Sequence, residues 1–216
     1  MTPLRISPIH AQLQLLNGAW RQINSMSTLV SLAKDDINAA RLGIADLSFL
    51  NHFGVKGVGA ALWLASQEIP VPDHPNTWCP LPAGGIVARL GMNEFLIADS
   101  LHSNFAPRLE TACQQPPAKV YPVLRQDAAI ALCGEATNQL LLQVCSVNFQ
   151  ALSLVENPVV LTSMAGVAVT VIPGNRACQP LYRIWCDGTF GAYLWQTLLA
   201  IAQELGGGAV GAEQLI

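Results

Sequence analysis

Over residues 47–55 apolar side chains stand at every second position, Leu47, Phe49, Phe53 and Val55 with Asn51 the exception, which predicts a strand. Gly57 ends it. Val58, Ala61, Leu62, Ala65 and Ile69 then recur at helical spacing until Pro70-Val71-Pro72 stops the pattern, because proline cannot continue a helix. The same succession returns later: Ala128, Ile130 and Leu132 alternate, Gly134 follows, and Ala136, Leu140, Leu141 and Val144 make a helical set ending near Asn148. Two copies of one pattern predict an internal repeat.

After each copy a hairpin is expected. Residues 85–90 turn at Gly91-Met92-Asn93 into 94–98, and residues 167–172 turn at Pro173-Gly174-Asn175 into 181–186. A second helix closes each half. The later one carries Leu194, Leu198, Ile201 and Leu205 on one stripe, Asp187 or Thr189 to cap its free N–H groups, and Gly206-Gly207-Gly208 to end it. Each half therefore reads β-α-β-β-α, the order of a ferredoxin-like plait, and the fold class is α+β. The expected organisation is an N-terminal extension over 1–40 packing on the core, a first subdomain over 41–115 and a second over 118–216. Gln114-Gln115-Pro116-Pro117 marks the boundary, since paired prolines hold an extended connection. Within the extension, Gln12-Leu13-Gln14-Leu15-Leu16 fits a strand or a helical turn equally well, and Asn17-Gly18 signals a turn.

Composition narrows the function classes. Of 216 residues 51% are apolar and only 12% charged, with mean hydropathy +0.37, against about 25% charged in an ordinary soluble domain. That excess of apolar residues points to surface destined for a partner. The longest uncharged stretch, 157–175, is broken by Pro158, Ser163, Gly166 and Pro173, so no membrane span is expected. The opening Met1-Thr2-Pro3-Leu4-Arg5 leads into no apolar export segment, which makes a cytoplasmic location the default expectation. Eleven basic and 14 acidic residues give a net charge of -3 without a run of either sign, which disfavours nucleic acid as a partner. Six cysteines without a C-x-x-C pair read as free buried thiols.

Each motif with a chemical reading also has a plainer one. Gly57-x-Gly59 opens a helix as a dinucleotide fingerprint would, but Leu62 occupies the third glycine's place, and a tight turn is the better reading. His10, His52, His74 and His102 stand apart, without the spacing of a metal-binding pair. Asp73-His74 lies among Pro70, Pro72 and Pro75, as a solvated loop does. Cys133, Cys145 and Cys186 fall in apolar patterns where a thiol stays protonated and inert. Trp63 and Trp185 are expected as core anchors.

A family resemblance emerges from the order of several short segments. Ser7-Pro8-Ile9-His10, Gly18-Ala19, Ile44-Ala45-Asp46-Leu47-Ser48 and the stretch from Val55-Lys56-Gly57 to Trp63-Leu64 resemble the glycine cleavage T protein, an aminomethyltransferase, as does Gly84-Gly85-Ile86. Within that family the chain is more similar to the gamma subunit of heterotetrameric sarcosine oxidase. That likeness rests on Ile69-Pro70 followed by Pro75-Asn76, Arg89-Leu90-Gly91 with Glu94-Phe95-Leu96, and Ala192-Tyr193-Leu194-Trp195, and it spans roughly residues 40–205.

The resemblance implies a pseudo-symmetric folate-binding module without the C-terminal barrel of a full aminomethyltransferase, tetrahydrofolate as the cofactor, and flavoprotein oxidase subunits or a second copy as partners. It also implies a lost catalytic residue. Active relatives place an aspartate two residues after Gly-Gly-Ile, where this chain has Ala88, and alanine can neither accept nor orient a proton. The glutamate that contacts the pterin ring in those relatives falls on Arg183, a cation suited instead to a folate glutamyl carboxylate or an acid on a partner. The implied cofactor-binding residues are Asn76, Arg89 and Arg183, with no catalytic residue among them. Two further readings follow from the same likeness: a free-standing folate-dependent enzyme using Arg89, Asn76 and Arg183, and a homodimeric folate-binding regulator.

Overall fold

The protein is described by a computed structural model covering residues 5–176 and 179–216. Its strands are β1 (Gly18–Ile23), β2 (Met26–Leu32), β3 (Gly43–Asp46), β4 (His52–Lys56), β5 (Thr77–Pro80), β6 (Ile86–Gly91), β7 (Glu94–Ala98), β8 (Tyr121–Val123), β9 (Asp127–Cys133), β10 (Val160–Met164), β11 (Val167–Arg176), β12 (Gln179–Asp187) and β13 (Gly208–Ala209). Its helices are α1 (His10–Leu13), α2 (Asp35–Leu42), α3 (Ala60–Ser66), α4 (Phe105–Ala112), α5 (Thr137–Val144) and α6 (Gly188–Glu204). The chain forms two compact units. One comprises Met1–Phe49, Gln126–Leu154 and Val160–Ile216, and the other Leu50–Arg125 and Val155–Val159.

The smaller unit holds a sheet in the order β5-β6-β7-β4-β8, every neighbour antiparallel. Read from β8, this is the strand order of a ferredoxin-like plait with β5 added at the far edge. Its core gathers Phe53, Val55, Trp63, Leu64, Val87, Phe95, Ile97 and Leu109, from the sheet and from α3 and α4. Asp99 starts α4 at a distance: its carboxylate accepts from the amides of Phe105 (2.8 Å) and Ala106 (2.9 Å), which lie in the first turn.

The larger unit repeats the plan in the order β10-β11-β12-β9-β3-β13. Here β9, α5, β10, β11, β12, α6 and β13 stand where β4, α3, β5, β6, β7, α4 and β8 stand in the smaller unit, and β3 is inserted between β9 and β13. The predicted repeat and α+β class are the observed ones. The core beneath α5 and α6 contains Ile44, Ile130, Leu132, Leu140, Tyr182, Ile184, Leu194, Trp195 and Leu198. The Asp187 carboxylate accepts from the Thr189 amide (2.8 Å) and hydroxyl (2.6 Å) to cap α6, as expected. Of residues 12–16, equally readable as strand or helical turn, Gln12 and Leu13 end the single turn α1 and the rest lie in a turn, and β1 pairs with β2 in a separate hairpin.

Three local readings are corrected. Residues 47–55 are not one strand: β3 ends at Asp46, whose carboxylate accepts from the Ser48 amide (2.9 Å) in a tight turn, and β4 begins at His52 in the other sheet. The face of α3 that enters the core is not the Val58-Leu62-Ala65 stripe. Ala60, Trp63 and Leu64 are buried, whereas Val58 and Leu62 are 63% and 79% exposed. Finally, Pro173, Gly174 and Asn175 do not turn but continue β11, paired with Tyr182, Leu181 and Pro180. Proline is tolerated there because β10 accompanies β11 only as far as Val171, so that edge has no ladder for a missing N–H to break.

Candidate functional site

Along β12 alternate side chains part company. Tyr182, Ile184 and Cys186 enter the core under the helices, so Arg183 and Trp185 belong to the opposite face of the sheet. The register sets Arg183 beside Ile172 on β11 and Ala131 on β9, and Ala131 in turn beside Ala45 on β3. None of these neighbours carries a side-chain acceptor. Arg183 is half-buried, and among the described residues its guanidinium makes no hydrogen bond or ion pair. Withdrawal from water disfavours its charged form and lowers its pKa from the usual arginine value. Such a group is under-compensated, and its planar fork of donors fits a carboxylate or phosphate.

Arg89 is placed very differently. Its Nη1 donates to the carbonyls of Pro72 (3.0 Å) and Asp73 (2.8 Å), its Nη2 to Met92 (2.7 Å) and its Nε to Gly91 (3.4 Å), and the guanidinium lies 5.6 Å over the Phe95 ring. The side chain thus ties the proline loop to the β6–β7 turn. Asn76 joins the same knot: its amide donates to the Arg89 carbonyl (2.7 Å), its carbonyl accepts from Val159 (2.7 Å), and its φ of +60° is one that asparagine adopts more readily than most residues. Asn76 and Arg89 therefore sit together in the smaller unit, while Arg183 stands in the larger. Ala88 is wholly buried on β6 between Trp78 and Leu96 of the neighbouring strands.

A second polar cluster was not singled out from the sequence for its own chemistry. Asp46, Ser48 and Ser7 are buried at 7%, 2% and 3% exposure. Burial pushes the Asp46 carboxyl up from its ordinary value, against hydrogen bonds from Ser48 and Ser7. The Ser48 hydroxyl also accepts the Ala129 amide (3.0 Å), anchoring the end of β3 to β9. Nearby in sequence to Ser7, His10 presents its ring edge-on to Trp20 at 5.5 Å. The only local signal for the cluster is the Asp-x-Ser turn itself.

The remaining candidates resolve structurally. Gly57 has φ +116°, and a Cβ there would lie 2.2 Å from the Lys119 carbonyl oxygen, so backbone fills the space a phosphate would need. The turn reading holds. Cys113, Cys133, Cys145 and Cys186 are buried free thiols, whereas the free thiol Cys79 is only half-buried, and burial pushes Cys133 and Cys186 up to about 11. Cys178 lies outside the described residues. Trp63 and Trp185 are 8% and 6% exposed, as core anchors should be. Among the described residues no three His, Cys, Asp or Glu side chains are grouped to hold a metal ion, and no helix is long and apolar enough to cross a membrane.

No protein-family model matches the chain, and no curated protein matches it by sequence. Solved structures do. The chain superposes on glycine cleavage system aminomethyltransferase T from Bartonella henselae with a TM-score of 0.76 at 13% identity, over 98% of this chain and 61% of that one. It superposes on a chain of heterotetrameric sarcosine oxidase from Corynebacterium sp. U-96, in complex with pyrrole 2-carboxylate, with a TM-score of 0.66 at 21% identity, over 97% of this chain and 100% of that one. The chain has the fold these two proteins share and spans about three-fifths of the aminomethyltransferase's length.

Proposed function

We propose that the chain is a non-catalytic, sarcosine oxidase gamma-like subunit, an accessory protein of one-carbon metabolism that works beside flavoprotein oxidase subunits. The observation that carries this reading is the coverage: the match takes in all of one chain of a heterotetrameric oxidase but only 61% of a complete aminomethyltransferase. The site agrees with it. Ala88 supplies no base where the active relatives have one, and Arg183 offers a cation where they have an acid. Arg183 would hold a carboxylate of tetrahydrofolate's glutamyl tail through paired N–H donors, while Asn76 and Arg89 shape the loop on the smaller unit.

Calorimetric titration with tetrahydrofolate and folinic acid tests the ligand, alongside an assay of aminomethyl transfer by the chain alone. The expected result is micromolar binding that Arg183→Ala weakens at least about ten-fold, since a hydrogen bond to a charged group contributes about 1.5–3 kcal/mol, with no turnover. Turnover by the isolated chain would overturn the subunit reading in favour of a free-standing folate-dependent enzyme. No binding up to millimolar ligand would remove folate and leave the accessory role to be judged by partner capture.

A further inference from the structure

The corner where a strand passes through glycine into a helix occurs in each unit, and the two copies correspond residue for residue in conformation, hydrogen bonding and burial. Gly57 and Gly134 both have positive φ, +116° and +101°. The Ala60 amide donates back to the Gly57 carbonyl (2.9 Å), as Thr137 does to Gly134 (3.2 Å). A further bond ties each corner to another segment of its own unit: Gly59 N to the Lys119 carbonyl (3.1 Å), and Ala136 N to the Arg41 carbonyl (2.9 Å). The buried pairs Trp63-Leu64 and Leu140-Leu141 then coincide. In this frame Val58 corresponds to Glu135, Leu62 to Gln139 and Lys119 to Arg41.

The backbones agree, but the outer surfaces do not. In the larger unit Glu135 pairs with Arg41 at 2.6 Å and Gln139 faces solvent, as the outside of a helix ordinarily does. In the smaller unit the same exposed positions carry Val58 and Leu62. They are joined by exposed Ala65 and by Tyr121, 56% exposed, whose ring edge comes within 3.0 Å of where a Cβ on Gly57 would stand. Lys119, the counterpart of Arg41, has lost its acid, because valine stands where Glu135 would. Among the described residues neither Lys119 nor Lys56, the register partner of Tyr121, makes an ion pair.

We propose that the outer face of α3 is a docking surface for a different protein chain, one that lays apolar side chains on Val58, Leu62 and Tyr121 and brings a carboxylate to Lys119. This rests on the subunit reading and gives that subunit its contact face. Charge selects the occupant. A two-fold contact between copies of this face would set Lys56 and Lys119 against the same lysines, whereas an acidic rim on another chain restores the pair that the larger unit makes internally.

The test captures tagged full-length chain from its own cells as wild type, Leu62→Asp, Lys119→Glu and the control Gln139→Asp. Flavin absorbance per mole of bait, mass-spectrometric identity of the captured chain, and light scattering and circular dichroism of the bait are read together. A flavoprotein should bind wild type and Gln139→Asp at equal stoichiometry, and fall at least about ten-fold on Leu62→Asp and Lys119→Glu with the fold intact, a change of about 1.4 kcal/mol or more. Undiminished flavoprotein on both variants would overturn the docking surface and leave the subunit reading standing. Absence of flavoprotein from every bait would overturn the subunit reading and this inference with it. A wild-type dimer that Leu62→Asp turns into monomer would show a second copy as the occupant and overturn the charge argument.

Discussion

The smaller unit uses its partly buried charges on its own backbone and carboxylates. Arg89 ties two loops through four carbonyls, Arg125 reaches Glu94 at 3.4 Å, and Asp99 caps α4. The larger unit does the same with Arg41 and Glu135 and with Asp35, whose carboxylate accepts from Leu32 and Gly211 at 2.8 Å each, but among the described residues it leaves Arg183 without a partner. Among the described residues Lys119 in the smaller unit also makes no ion pair, yet it is exposed, so water satisfies it in the free chain and its pairing bears on a partner rather than on folding. Burial separates the two cases. An unpaired charge costs the fold little on the surface and much when it is withdrawn from water.

The largest effects are expected at the glycine corner that both units share. Gly57→Ala and Gly134→Ala should each cost about 2–4 kcal/mol, from the left-handed φ and the collision of the new Cβ with backbone. Gly57 should cost the more, with its nearest contact at 2.2 Å against 2.7 Å, and urea midpoints read both. Next come the arginines: Arg89→Ala should lose about 2–3 kcal/mol of stability, whereas Arg183→Ala should leave it unchanged or raise it by up to about 1 kcal/mol. Equal losses would show that Arg183 is as well partnered as Arg89.

Asp46→Asn tests a buried charge that does have partners. Because the folded Asp46 carboxyl titrates above its ordinary 3.8, the folded state holds a proton that the unfolded chain releases. Its contribution to stability is therefore fully present below 3.8 and is lost as pH rises through the raised folded value. The wild type should gain on Asp46→Asn as pH is lowered towards 4, in denaturation series at matched ionic strength, and a flat difference would contradict the assignment. The smallest effects belong to the outer faces of the helices: Leu62→Gln and Gln139→Leu should each move stability by no more than about 0.5 kcal/mol. A larger loss in Leu62→Gln would mean that Leu62 supports the fold rather than a partner.

What the sequence determined by itself was whatever local chemistry controls. The helix over 188–204 with its Asp187 cap, the hairpin over 86–98, the glycine corners and the repeat all follow from side-chain period, capping oxygens and the steric freedom of glycine, which act within a few residues. Arg183 could be named from the family resemblance, but nothing near it in sequence shows that its neighbours would be Ile172, Ala131 and Ala45. Tertiary structure decided the rest. A period of two says that Leu47, Phe49, Phe53 and Val55 share a face, but not that the turn at Asp46 divides them between two units. A helical stripe of Val58, Leu62 and Ala65 looks like a core face until Trp63 and Leu64 claim the interior, because larger side chains bury more apolar area. That Arg89 ties two loops together rests on carbonyls at Pro72 and Asp73, 17 and 16 residues away along the chain. Contacts of that kind depend on distance in space, which local pattern does not encode.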